Sequence, residues 1–240
     1  ITRFSSRGPS PSGGQQPLTP AAFRTMSVQA SLAEELRQSC RLQTKVPVIA
    51  IIGGPGSGKG TQCERLAKKY KLCHISTGDL MRDEVKRQTP SGLLAEKFIV
   101  EGQLVPDNIV LRILRDKMAN ELNTNCGFIL DGYPRSISQA ESLTSLVCSV
   151  NAYIYLQVSD AVLLERLEKR GATSGRKDDN AETAKKRIAV FHSQSRPIVE
   201  KFKAQVITID AGKSIDEVFE AVDKAVAPLV ADVPKMVTDE

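Results

Sequence analysis

Apolar residues in this chain follow two rhythms. Short continuous apolar runs recur between longer stretches in which apolar positions return every three or four residues. Val46-Pro-Val-Ile-Ala-Ile-Ile52 is the longest such run. It lacks the alternation of a half-exposed strand, so it predicts a strand of a parallel sheet covered on both faces. Further strands are predicted at 72–75, 128–130, 152–158 and 206–209. Helical spacing predicts helices at 59–70, 78–88, 91–101, 107–122, 137–147, 160–170, 181–203 and 214–229. Ser31 and Glu34 read as a capping box for a short helix ending at Leu42. Strands alternating with helices imply βαβ units, a parallel sheet and right-handed crossovers.

Residues 1–30 break this pattern. They are rich in Ser, Pro, Gly and Gln and hold Arg3, Arg7 and Arg24 but no acid. Such a segment cannot bury enough surface to offset its ordering entropy, so a disordered tail is expected. The same composition suits a mitochondrial targeting segment. Met26 is a plausible initiator, which would make the preceding residues an extension. The expected organisation is a tail at 1–30, a helix and linker at 31–45, one domain at 46–230 and a C-terminal tail at 231–240.

Composition narrows the function. The chain is 41% apolar and 25% charged, ordinary for a globular protein. No apolar run approaches the ~20 residues of a membrane-spanning helix. Net charge is +5, but with three arginines in the tail the remainder is only +2, which argues against a nucleic-acid surface. Five cysteines, at 40, 63, 73, 126 and 148, form no CxxC pair, and there are two histidines. Free thiols in a reducing compartment are expected rather than a structural zinc site.

The chemistry starts at Gly53-Gly-Pro-Gly-Ser-Gly-Lys-Gly-Thr61, between the first strand and its helix. Strand, glycine loop and helix are the context of a phosphate-binding P-loop. Glycines let backbone N–H groups approach phosphates, the helix N-terminus adds its dipole, and Lys59 reaches the outer phosphates. Gly56, Ser57, Gly58, Lys59, Gly60 and Thr61 are the candidates here; Gly60 stands where a Ser or Thr usually follows the lysine.

Four further motifs lie in register behind this loop: Ser76-Thr-Gly-Asp-Leu-Met-Arg82, Gly102-Gln-Leu-Val-Pro-Asp107, Phe128-Ile-Leu-Asp-Gly-Tyr-Pro-Arg135, and Arg166 with Arg170 leading into Gly171-Ala-Thr-Ser-Gly-Arg-Lys-Asp-Asp-Asn180. Together, from about Val46 to Val230, they resemble the nucleoside monophosphate kinases, and specifically adenylate kinases of the short-lid cytosolic type. The resemblance implies an α/β fold: a P-loop three-layer α/β/α arrangement with a five-stranded parallel sheet. It adds a helical monophosphate-binding insertion at 77–106 and a short lid at 171–181. It implies reversible, Mg²⁺-dependent transfer from ATP to AMP by a cytoplasmic monomer that engages neither nucleic acid nor membrane.

The resemblance also assigns roles. Lys59 and Arg170 would hold the donor's phosphates, and Arg82 and Arg135 the acceptor's. Arg176 and Arg187 would bridge both across the transferring group, and Arg166 would lie against the donor's adenine. Lys213, in the Asp210-Ala-Gly-Lys-Ser loop, falls near the donor base where the family often has Gly. The acceptor site would take in Thr77, Arg82, Gln103, Leu104, Val105, Gly132, Tyr133, Pro134, Arg135 and Gln139. Asp131 would hold Mg²⁺ through water, with no direct protein ligand. Asp178 and Asp179 either help lock the closed lid or begin the helix that follows.

Thr77 and Gln139 match the adenine branch, where the pyrimidine branch usually has Ala and Asn. Gln139 offers a donor and an acceptor to the N6 edge of adenine. A UMP/CMP kinase is the alternative, and a non-catalytic nucleotide-binding regulatory module a further one. An acceptor phosphate is already ionised near neutral pH and needs no general base, and no carboxylate pair appears in the acceptor motifs.

Overall fold

The computed structural model describes residue 42 and residues 46–122, 126–174 and 180–231. Five strands form one parallel sheet: β1 (Val48–Gly53), β2 (Cys73–Ser76), β3 (Phe128–Asp131), β4 (Ala152–Gln157) and β5 (Val206–Asp210). Their spatial order is β2-β3-β1-β4-β5. The helices are α1 (Lys59–Tyr70), α2 (Thr77–Lys86), α3 (Pro90–Val100), α4 (Asp107–Glu121), α5 (Ile137–Ser142), α6 (Asp160–Ser174), α7 (Ala181–Val190), α8 (Arg196–Lys201) and α9 (Ile215–Val230).

The central strands β1 and β3 are buried on both faces, as their unbroken apolar runs require, whereas edge strand β5 leaves Ile207, Thr208 and Asp210 exposed. Val48, Ala50 and Ile52 of β1 join one core with Phe128, Leu130, Leu111 and Leu114. Ile49 and Ile51 join the other, with Leu66 of α1 and Val218, Val222 and Val226 of α9. A small third cluster, Leu163, Leu167, Ala184 and Ile188, ties α6 to α7. Among the described residues no helix is long and apolar enough to cross a membrane.

The order in which strands are added reverses around β1: β3 and β2 lie on one side of it, β4 and β5 on the other. Ligands of open parallel sheets bind outside the carboxyl ends of the strands at such a point. The register sets those ends level, pairing Ile51 with Asp131 and Ser76 with Asp131.

Strand boundaries differ from the sequence expectation by one or two residues. Three helices differ more. The predicted 137–147 helix is an α-helix only to Ser142 and continues as a π-helix, Leu143–Val147. The predicted 181–203 helix has a π-turn at Phe191–Ser195 before α8, which carries Pro in its first turn. Proline offers no N–H to the preceding turn, so an unbroken α-ladder cannot run through it. Helix α6 runs on to Ser174, four residues into the predicted lid.

Of the predicted helix ending at Leu42, only Leu42 is described; it is non-helical, and its N–H donates to the Val147 carbonyl at 2.9 Å. The 1–30 tail and residues 31–41, 43–45, 175–179 and 232–240 lie outside the described residues.

Candidate active site

The glycine loop leaves β1 and enters α1 through two residues in the left-handed region, Gly56 (φ 84°) and Gly58 (φ 89°). A side chain is strained in that conformation, which accounts for glycine there. Gly58 is the N-cap of α1; no side chain caps it, and the first turn holds no acid. The electropositive end of the helix therefore opens to the cleft with no acid of its own first turn to offset it. Lys59 folds back over the loop, donating to the carbonyls of Gly53 and Gly54 at 2.8 Å each and to Ser57 Oγ at 3.3 Å. Desolvation lowers its pKa from 10.5 to about 8; Arg135 and Arg187 push the same way, and Asp131 partly opposes them.

One cleft of about 480 Å³ runs from this loop to the ends of β2 and β3. Gly56, Gly58, Lys59, Gly60 and Thr61 line its donor side. Thr77, Arg82, Gln103, Leu104, Val105, Gly132, Pro134, Arg135 and Gln139 line the opposite side. Arg166, Arg170 and Arg187 enter from α6 and α7. Helix α7 packs on the acceptor segment: a Cβ placed on Gly102 would lie 3.1 Å from Arg187 Cγ. Arg82 and Arg135 converge, since a Cβ placed on Gly78 would lie 3.3 Å from one guanidinium and 3.6 Å from the other. Arg82 also pairs with Asp79, and Arg135 Nε donates to the Gly132 carbonyl at 2.7 Å.

Arg166 Nη2 donates to the Ala211 carbonyl at 3.1 Å, tying α6 to the loop after β5. Lys213 of that loop faces a separate shallow depression with Ile207 and Glu217. Ser57 is buried within the glycine loop. Tyr133 is buried beneath the cleft, its hydroxyl donating to the Gln139 carbonyl at 3.5 Å. Burial pushes that hydroxyl's pKa far above the usual value. Arg176, Asp178 and Asp179 lie outside the described residues.

Gln139 is buried, and its amide is held from two sides. Its Oε1 accepts from the Arg135 N–H at 2.8 Å, and its Nε2 donates to Asp107 Oδ1 at 2.9 Å. Ser138 Oγ donates to the second oxygen of Asp107 at 2.6 Å. The Thr77 hydroxyl donates to the Gly132 carbonyl at 3.0 Å.

Three residues of this neighbourhood are not singled out by the sequence. Asp107 reads there as the end of a motif, and its bond to Gln139 spans 32 positions. His74 alternates with buried Cys73 and Ile75 on β2, a pattern that marks it as different in facing, and its Nε2 lies 3.4 Å from Asp131 Oδ2. Cys63 reads as a core thiol of α1 and packs in the core. Burial, reinforced by Asp131, raises its pKa well above that of a free thiol.

A glycine phosphate loop facing a second set of arginines across one cleft defines a P-loop phosphotransferase that accepts two phosphorylated ligands. Comparison with known proteins specifies the family. The adenylate kinase family model matches residues 51–207. Adenylate kinase 1 of Schistosoma mansoni is 43% identical over 181 residues, covering 75% of this chain and 92% of the relative. Adenylate kinase isoenzyme 1 of Homo sapiens is 41% identical over 180 residues, 74% of this chain and 93% of the relative. The Caenorhabditis elegans isoenzyme 1 is 40% identical over 191 residues, 77% and 91% respectively. The chain belongs to the adenylate kinase family and transfers a phosphoryl group from ATP to AMP, giving two ADP.

Proposed function

We propose that the cleft carries out this transfer through charge neutralisation and alignment, with the arginines and Lys59 dividing the phosphates between them. ATP brings roughly four negative charges and AMP about two, so holding them in contact is the main electrostatic task. Lys59, Arg170 and the backbone of Gly56 to Thr61 hold the donor's phosphates, and Arg166 stacks on its adenine. The loop that carries Lys213 flanks the donor base through its backbone, while the Lys213 side chain lines the separate depression. Arg82 and Arg135 hold the acceptor phosphate. Arg187, with Arg176 from the lid, spans the two.

An acceptor phosphate oxygen attacks the γ-phosphorus in line. The new O–P bond forms as the bond to the β–γ bridging oxygen breaks, and ADP departs with that oxygen's charge. No proton has to be removed, because the nucleophile is already ionised. Gln139 reads the adenine edge of AMP. Thr77, Gln103, Leu104, Val105, Gly132, Tyr133 and Pro134 shape the wall around it. Closure of the lid and of the 77–106 segment excludes water.

The residues fit a magnesium ion brought in with ATP. A hard cation of this kind uses one or two carboxylates, substrate oxygens and retained waters. Asp131 is the carboxylate at the cleft floor, and the lack of a side chain at Gly60 leaves room beside it, a Cβ there lying 3.6 Å from Oδ2. Asp131 would hold the ion through water, and the ion would neutralise charge on the β- and γ-phosphates.

The observation that carries this reading is the convergence of Lys59, Arg82, Arg135, Arg170 and Arg187 on one cleft. Direct measurement of ADP formation with AMP, CMP and UMP side by side tests it. AMP should be the preferred acceptor, and equal turnover with CMP would reject the adenine reading. ATP hydrolysis without AMP should be slow; a substantial rate would reject water exclusion. The free thiols Cys63, Cys73, Cys126 and Cys148 suit the cytoplasm. Imaging the chain with and without residues 1–30 tests whether that segment redirects it to mitochondria.

A further inference from the structure

Cys63 of α1, His74 of β2 and Asp131 at the end of β3 meet at one point beside the cleft floor. Their Sγ, ring nitrogen and carboxylate oxygen all lie within 4.8 Å of one another. A tetrahedral ion with bonds of about 2.0–2.3 Å spans ligand separations of about 3.3–3.8 Å. The 3.4 Å between His74 Nε2 and Asp131 Oδ2 already has that size, and rotation of the Cys63 side chain would have to close the other two sides. His74 and Asp131 line the cleft, while Cys63 closes the group from beneath. An ion can therefore enter from the nucleotide side and keep its fourth position open there. Gly60 presents no side chain against that approach.

The donor set selects the metal. A thiolate, an imidazole and a carboxylate suit Zn²⁺, whereas Mg²⁺ requires oxygen ligands. Thiolate and carboxylate together supply two negative charges, which cancel those of the ion. That cancellation is needed beside Lys59.

We propose that Cys63, His74 and Asp131 form a zinc site that inhibits the enzyme by withdrawing Asp131 from the magnesium–nucleotide complex. As the ion binds, the Cys63 thiol releases its proton to solvent, a Zn–S bond forms and coordinated water is displaced. Nothing is oxidised or reduced. The inhibitory half rests on the role of Asp131 toward magnesium proposed above; the binding half does not, and the two are read separately.

Cobalt(II) chloride added to the full chain reports binding. A thiolate-to-cobalt charge-transfer band in the near ultraviolet, with visible bands of a tetrahedral ion, should saturate at one equivalent and be bleached by zinc chloride. The band should vanish in Cys63→Ala, although the other cysteines remain, and in His74→Asn. Should Cys63→Ala fail to fold by circular dichroism, His74→Asn decides alone. In direct ADP assays at excess magnesium, Cys63→Ala should keep basal turnover while the zinc concentration for half-inhibition rises at least about 100-fold, the upper end of what losing a mere supporting partner costs. Absence of the band, or its survival in either folded variant, overturns the site. A band with unchanged zinc sensitivity in Cys63→Ala overturns the inhibition.

Discussion

Lys59 gives the sharpest test of how the donor side works. Its pKa is lowered to about 8 in the free protein, with desolvation as the largest cause, because the ammonium is folded against the loop carbonyls. Only the protonated form can pair with phosphate. Near pH 7 about ten molecules in eleven carry that proton, and near pH 9 about one in eleven. Bound phosphates restore the proton by raising the pKa, so ATP binding near pH 9 should take up about 0.9 proton, against about 0.1 near pH 7. The Kd for ATP should therefore weaken about tenfold between those values, equivalent to about 1.4 kcal/mol.

Titration calorimetry in two buffers of different ionisation heat measures both quantities at once. Lys59→Arg, which stays cationic throughout, should show no such dependence. A wild-type Kd that is flat from about pH 7 to about pH 9, with no proton uptake, would refute the desolvated lysine. The sign for stability is the reverse of the sign for binding. Between the folded value of about 8 and the usual 10.5, the unfolded chain holds a proton that the folded chain has lost. This group therefore makes the nucleotide-free protein more stable as pH rises through that window.

Other expectations concern alignment and packing. Arg187→Ala should lower kcat by roughly 10²–10³-fold, the usual cost of one group aimed at transition-state charge, with a smaller change in KM; single-turnover kinetics separates the two. Asp107→Ala frees the Nε2 side of Gln139, removing a charge-assisted bond of about 1.5–3 kcal/mol. The KM for AMP should rise roughly tenfold or more while the KM for ATP holds, as steady-state kinetics would reveal. Gly92→Ala would place a Cβ 2.1 Å from the Glu84 carbonyl oxygen, where α3 crosses α2. Overpacking of this kind costs about 1–3 kcal/mol, visible as a lower midpoint in urea unfolding.

Much of this protein is legible in its sequence because the signals are local. The unbroken run ending at Ile52 already specifies a strand covered on both faces, and the structure surrounds it with two apolar cores. The spacing from Gly53 to Thr61 implies a strand–loop–helix phosphate site, since glycine torsions and a helix N-terminus depend only on neighbouring residues. Arginines 82, 135, 170 and 187 could be named from their motifs, and all line one cleft.

Other features are set by residues far apart in the chain. Parallel pairing brings Ser76, Ile51 and Asp131 level, and only that register puts His74 beside Asp131. The orientation of Gln139 depends on Asp107, 32 positions away. The lowered pKa of Lys59 depends on burial and on Arg135 and Arg187, none of which a local pattern contains. Lys213, close to the site by motif, is turned toward a different surface by the path of its loop. The sequence determines which groups the chain carries and which elements present them. The packing of those elements determines the distances between charges, and so which groups act together.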